Sequence, residues 1–257
     1  MPSESRVSSR IERPAGAARE DRHPPEDTRP SLDSAVKPVD GFFTTFFVTP
    51  YSKHLARWAA GRGRTPNEVT VVSALVGFAA AAAFATGQRA GLIAGAVLLQ
   101  VAFTADCVDG QLARYTGTFT SFGAWLDSTF DRVKEYAVFA GLAIGASAAG
   151  DPVWVLAGAA LALQTARHVE LFSFAAARPR ARAEAPGRPL GLWGRLDAVP
   201  AALWVKRIVA FPIGERFAAI SLTAALFTPR TTFAVLLAWG GFAAVYTTAG
   251  LVLRSLR

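Results

Sequence analysis

Four aspartates stand at fixed intervals in the middle of the chain: Asp106 and Asp109, three residues apart, then Asp127 and Asp131, four apart. Gly110, Arg114 and Gly123 lie between the two pairs. On a helix each pair shares one face, its members separated along the axis by about 4.5 and 6 Å. Two such faces turned toward each other gather four carboxylates. These are hard oxygen donors, suited to one or two Mg²⁺ or Mn²⁺ ions. Two ions about 3.5–4 Å apart are a recurrent solution to displacement at phosphorus. Arg114 adds a planar donor fork that matches a phosphate. Gly110 and Gly123 remove side chains where something must come close.

The surroundings make these acids costly. Of 257 residues, 52% are hydrophobic and only 18% charged, and the mean hydropathy is +0.30. An aspartate in the centre of a membrane helix costs about 2.5–3.5 kcal/mol on an insertion scale, so four cost roughly 10–14. Bound cations and a polar substrate offset that cost. A merely structural role does not.

The elements that must position the acids divide the chain in three. Residues 1–38 carry six prolines, seven acidic and seven basic residues and no aromatic, which predicts a disordered, near-neutral cytoplasmic tail. Residues 39–64 contain Phe42, Phe43, Phe46, Phe47, Tyr51, Leu55 and Trp58 at helical spacing, interleaved with Lys53, His54 and Arg57. That pattern predicts an interfacial amphipathic helix, with Pro50 breaking or kinking it. Residues 65–257 form the catalytic domain, with six apolar segments near 67–86, 90–106, 122–149, 152–174, 215–227 (with an approach from Ile208) and 231–253. Most approach the ~20 residues that cross ~30 Å of hydrocarbon, and each must be helical to satisfy its own backbone. The fold class is therefore all-α: a polytopic membrane protein of six transmembrane helices preceded by the interfacial helix.

The charges fix the orientation. A motif loop with Arg114, a long arginine-rich loop over 178–207 and the C-terminal Arg254 and Arg257 lie on one side. Arg89, Asp151 and Arg230 are alone on the other. The positive-inside rule puts both termini and the acids in the cytoplasm of a bacterial-type membrane. The first 30 residues hold no apolar core of a signal peptide. The net charge of +8 collects beside apolar segments, where it reads as contact with headgroups rather than nucleic acid. Cys107, the only cysteine, sits among acids that oppose a thiolate and reads as a small spacer. Gly87, Gly91 and Gly95, then Gly141 and Gly145, recur every four residues, as in close helix seams.

The complete pattern, D-x-x-D-G-x-x-A-R-x8-G-x-x-x-D-x-x-x-D over 106–131, resembles the signature of the CDP-alcohol phosphotransferase family, class I. The run Thr65-Pro66-Asn67-Glu68-Val69-Thr70 is similar to that family's entry into its first membrane helix. The resemblance covers about residues 40–255. It implies a metal-dependent CDP-alcohol phosphatidyltransferase of phospholipid biosynthesis, working as a homodimer. Asp106, Asp109 and Asp127 ligate two Mg²⁺ or Mn²⁺ ions, and Asp131 takes the acceptor's hydroxyl proton and also touches a metal. Asn67, Thr70, Asp109, Gly110, Arg114 and Gly123 hold the CDP moiety. A phosphatidyl group passes from CDP-diacylglycerol to the hydroxyl of a polar alcohol or polyol phosphate, and CMP leaves.

The acceptor is written in other residues. Arg132, Lys134 and Glu135 follow the motif; Arg167, His168 and Glu170 end the fourth segment; Glu215 and Arg216 open the fifth. Arg167 and Arg216 resemble positions used by members that accept inositol phosphate. Against this, Tyr246, Thr247 and Thr248 stand where a further arginine is expected. Snorkelling, or pairing with Glu170 and Glu215, is the alternative for these bases, and His168 reads as a satisfied polar residue. The 40–70 segment also resembles members that use CDP-inositol, which keeps an inositol phosphodiester synthase open. A cation-binding transporter is the reading from another class; it would carry internal repeats and broken helices at mid-membrane.

Overall fold

The computed structural model describes residues 31–33, 35–37, 40–184 and 200–255. Most of the tail expected over 1–38, and residues 185–199 of the expected arginine-rich loop, lie outside them. The described residues are helical almost throughout. A π-helical turn, Thr44–Val48, leads into α1, Thr49–Gly61. There follow α2 (Pro66–Ala85), α3 (Arg89–Thr116), α4 (Ser121–Ala148), α5 (Trp154–Glu184), α6 (Pro200–Val209), α7 (Ile213–Leu226) and α8 (Pro229–Ser255).

Local sequence sets the starts and stops. Pro50 falls in the first turn of α1, so it opens that helix instead of breaking it. A capping box begins α2: Thr65 Oγ1 accepts from the Glu68 N–H, Glu68 Oε2 accepts from the Thr65 N–H, and Pro66 follows. Such a cap contributes about 1 kcal/mol. The acidic motif was expected to pass into a loop beyond Asp109. Instead α3 runs unbroken to Thr116 and stops at Gly117, whose φ of 69° only glycine adopts freely. Gly110 and the polar residues around it stay helical because a continuing turn satisfies their backbone at no extra cost. Likewise α5 extends through Arg178, Arg180 and Arg182 to Glu184, and α6 takes up 200–209, which shortens the expected loop from both ends.

By length and composition three helices can cross a membrane: α2, α3 and Pro229–Leu253 of α8. The pair Ala202–Val209 and Ile213–Leu226, bent by 66°, makes a fourth if it is one span. This is a membrane protein. All six expected segments are helical, yet α4 and α5, at 28 and 31 residues, are long enough to span but less apolar than those three helices. Both carry charges within the helix: Asp131, Arg132, Lys134 and Glu135 in α4, Arg167 and Glu170 in α5.

Packing centres on α2, which lies against both α3 and α4. Helix α3 also meets α1 and α7, and α8 meets α5 and α7. The Gly141/Gly145 seam is internal: a methyl at either position would run into the α2 backbone at Ala81 or Phe84. Phe84, Leu99, Phe103, Phe139, Leu142, Phe217, Ile220 and Phe233 fill the core. Facing outward, Phe46, Phe47, Tyr51, Leu55 and Trp58 form an exposed apolar stripe. That stripe is fixed to the bundle by the Phe43 N–H donating to Glu215 Oε1 (3.3 Å), Tyr51 Oη against Thr104 Oγ1 (2.9 Å), and Gln111 Nε2 donating to Ser52 Oγ (2.9 Å). At the opposite end Arg230 holds the exposed Asp151 carboxyl below its ordinary range by a direct ion pair.

Candidate active site

Helical rise sets the four acids at two levels, one acid from each helix at each level. Asp109 and Asp127 each lie about 10 Å from the α3–α4 turn, and Asp106 and Asp131 each about 15 Å. Carboxylate oxygens of Asp106, Asp109 and Asp127 lie within 4.8 Å of one another, close enough to share a metal ion. Asp131 stands outside that group and pairs instead with Lys134 Nζ at 3.1 Å.

The third wall is α2. Thr70 Oγ1 donates to Asp109 Oδ2 at 2.6 Å. Ser73 Oγ lies 3.3 Å from Asp106 Oδ1 and accepts from Lys134 Nζ at 2.8 Å. Lys134 also bonds Asp106 directly. Two cavities meet at the carboxylates and share Asp109, Gly110, Arg114 and Asp127. One, of about 160 Å³, reaches Asp106, Asp131, Cys107, Lys37 and Asp40. The other, of about 180 Å³, is lined by Asn67, Thr70, Thr120 and Gly123. The six residues expected at the nucleotide therefore border one cavity. Gly123 is required there, since a Cβ would stand 2.8 Å from Asn67 Oδ1 and 2.9 Å from Thr120 Oγ1. An apolar groove of about 970 Å³ adjoins at Asn67 and runs past Val69, Val72, Val108 and Phe122.

Arg114 brings in a segment that the sequence reading left to solvent. Its Nε donates to the Ala35 carbonyl at 2.5 Å, with Ala35 buried. Lys37 and Asp40 of the same segment line the carboxylate cavity. No periodicity in a polar, proline-rich stretch marks such docking.

Arg167 and Arg216 are buried but border neither cavity. Arg216 Nε pairs with Glu135 Oε1 at 2.9 Å, and Arg132 Nη1 with Glu135 Oε2 at 2.5 Å. Glu135, rather than Glu215, is thus the partner; Glu170 instead accepts from Thr248 Oγ1 at 2.7 Å. Both arginines also serve the helix break between α6 and α7. Arg167 Nη2 donates to the Ala210 carbonyl at 2.6 Å, and Arg216 Nη1 to the Phe211 carbonyl at 3.5 Å. Phe211 has φ +50°, a strained value for a bulky residue, and is held by stacking on Trp239 at 4.4 Å. His168 packs against Phe172, ring centroids 4.4 Å apart. Sequence reasoning missed the structural parts of Ser73, Lys134 and Glu135. The available signals were the i,i+3 spacing from Asp131 to Lys134 and the small residues Ser73 and Gly77 one turn apart on α2.

The chain belongs to the CDP-alcohol phosphatidyltransferase family, whose profile matches residues 64–248. Among curated relatives it is 36% identical over 93 residues to the archaetidylinositol phosphate synthase of Pyrococcus horikoshii, covering 36% of this chain and 48% of that one. It is 30% identical over 170 residues to the phosphatidylinositol phosphate synthase of Streptomyces avermitilis, covering 65% of this chain and 64% of that one. A bifunctional IPC transferase and DIPP synthase of Aquifex aeolicus is 33% identical over 140 residues, covering 52% and 31%. The chain thus spans 48% and 64% of the length of the first two relatives. A solved structure of the Mycobacterium tuberculosis phosphatidylinositol phosphate synthase with CDP-DAG bound matches at a TM-score of 0.48 and 23% identity, over 76% of this chain and 89% of that one.

Proposed function

We propose that this protein is a CDP-alcohol phosphatidyltransferase that moves a phosphatidyl group from CDP-diacylglycerol to the hydroxyl of a polyol phosphate, in phospholipid synthesis. One observation carries the reading: of three mutually close carboxylates, Asp109 and Asp127 line the cavity with Asn67, Thr70, Gly110, Arg114 and Gly123, and Asp106 lines the cavity that adjoins it. The adjoining apolar groove suits the acyl chains of a lipidic donor. The names of the first two relatives favour inositol phosphate as acceptor.

In this reading Arg114 and the Asn67–Thr70 turn orient the diphosphate. Asp131 removes the acceptor's hydroxyl proton. The resulting oxygen attacks the phosphorus that carries the diacylglycerol, the bond from that phosphorus to the bridging oxygen breaks, and CMP leaves with the bridging oxygen. Asp106, Asp109 and Asp127 would hold Mg²⁺ or Mn²⁺, which when bound neutralises charge on the equatorial and departing oxygens. Arg216 and Arg167 set a positive potential for the acceptor phosphate, Arg216 sharing Glu135 with Arg132.

The chain then crosses the membrane six times, with α4, α5 and the bent α6–α7 pair added to the three apolar helices. The buried charges of these helices, Lys134, Glu135, Arg167 and Arg216, lie inside the bundle and not toward lipid. The site and both termini face the cytoplasm, in line with the positive-inside bias. Assembly as a homodimer, which the family resemblance implies, is checked by the mass of the protein in detergent.

A CDP-inositol donor is the second reading, favoured by the similarity to the Aquifex aeolicus bifunctional protein. CMP release by the purified protein with Mg²⁺ tests both: CDP-diacylglycerol with inositol phosphate in one arm, CDP-inositol with a hydroxyl acceptor in the other. Release in the first arm alone supports the proposal. Release in the second alone replaces the donor. Release with no donor–acceptor pair removes the transferase reading.

A further inference from the structure

Lys134 occupies one side of the carboxylate cluster as completely as an ion would. Its side chain is 0% exposed. An ammonium has three N–H donors and no acceptor, and three oxygens surround this one: Ser73 Oγ at 2.8 Å, Asp131 Oδ1 at 3.1 Å and Asp106 Oδ1. Asp106 and Asp131 are the two acids that helical rise sets level with each other, deeper than Asp109 and Asp127. A lysine between them neutralises the half of the cluster that lies farther from the α3–α4 turn.

The neighbouring helix is shaped for this lysine. Gly77, one turn beyond Ser73 on α2, faces its stem; a Cβ there would stand 2.9 Å from both Cγ and Cδ of Lys134. Ser73 and Gly77 therefore form a cradle, the first bonding the ammonium and the second making room for the methylenes. Burying an unpaired ammonium costs several kcal/mol, so the cradle and both carboxylates belong together. The remaining close oxygens are those of Asp106, Asp109 and Asp127, a set for one ion. Asp106 can serve both cations, since a carboxylate has two oxygens.

We propose that Lys134 is a resident cation that takes the place of a second metal: the site binds a single divalent ion on Asp106, Asp109 and Asp127, and the ammonium holds Asp106 and Asp131. This rests on the transferase reading of the same site and replaces the two-ion expectation. With one divalent ion and one lysine, three of the four carboxylate charges are balanced. Lys134 acts as a positioning residue, holding the Asp131 carboxylate by Oδ1 at the wall of the cavity.

The test counts ions without substrate. Purified protein in detergent is equilibrated with Mn²⁺, and bound metal is measured together with the electron paramagnetic resonance spectrum. The wild type is expected to bind a single Mn²⁺ per chain with the spectrum of an isolated ion. Two ions per chain with a spin-coupled spectrum overturn the proposal and leave the transferase reading intact. No bound Mn²⁺ overturns the metal site itself. Lys134→Met keeps the bulk of the stem and removes the charge; it is expected to gain a second, coupled Mn²⁺. Gly77→Ala displaces the same ammonium without touching it chemically and is expected to give the same gain. Two folded variants that each still bind one ion overturn the claim that Lys134 excludes the second.

Discussion

Glu135 of α4 and Arg216 of α7, 81 residues apart in sequence, meet at 2.9 Å in the interior of the bundle. Both are buried, and Arg132 shares the carboxylate. Removing one partner of a buried pair leaves a charge uncompensated, at about 3–5 kcal/mol. Arg216→Ala is therefore expected to lower the thermal unfolding temperature in detergent markedly. Arg216→Lys keeps the charge and loses the fork; it is expected to retain most of that stability while raising the KM for an anionic acceptor about tenfold or more. An unchanged KM in a stable Arg216→Lys protein would separate Arg216 from the acceptor.

Asp131 lines the carboxylate cavity and has no place in the three-carboxylate group. Asp131→Asn is expected to reduce CMP release by about 10²–10⁴, the usual worth of a positioned base. Binding of CDP and of Mn²⁺ should persist. Full turnover in the purified variant removes the assignment of Asp131 as base.

The Thr70 hydroxyl reaches Asp109 from α2 at 2.6 Å. Thr70→Val keeps the shape and removes the donor, leaving a buried carboxylate short of a partner at a cost of about 1–3 kcal/mol. The expected outcome is weaker Mn²⁺ and CDP binding by calorimetry, with Thr70→Ser restoring most of it. Equal affinities in all three proteins would mean that Asp109 needs no orientation from α2.

Gly123 stands where a methyl would press on Asn67 and on the capping Thr120. Gly123→Ala is expected to weaken CDP binding about tenfold while changing thermal stability little. The space lies at a cavity wall, and α4 gains helix propensity from alanine. A loss of stability with CDP affinity unchanged would mark the glycine as a packing residue only.

Chelation with EDTA is expected to stop CMP release, and added Mg²⁺ or Mn²⁺ to restore it. Three carboxylates this close repel one another without a cation between them. Activity that survives exhaustive chelation contradicts the metal reading.

What the sequence determined by itself was the set of residues and their helical faces. The i,i+3 and i,i+4 spacings place each acidic pair on one helical face. That logic needs only the helix repeat. The capping box at Thr65 and the exposed aromatic stripe over 46–58 were legible for the same reason: each is a local pattern. Local reading failed where polar composition was taken for loop, at 110–116 and 178–184, because a helix satisfies its backbone whatever its side chains. The tertiary structure decided which charges meet. Lys134 closes on Asp106 and Ser73, Arg216 on Glu135, Arg114 on the Ala35 carbonyl, and Arg167 on the carbonyl freed at the α6–α7 break. Each joins residues from different segments, and no periodicity within one segment encodes its partner in another. In an apolar interior every buried charge must find a counter-charge or a carbonyl, and only the packing of α2 against α3 and α4, and of α7 against its neighbours, determines which one.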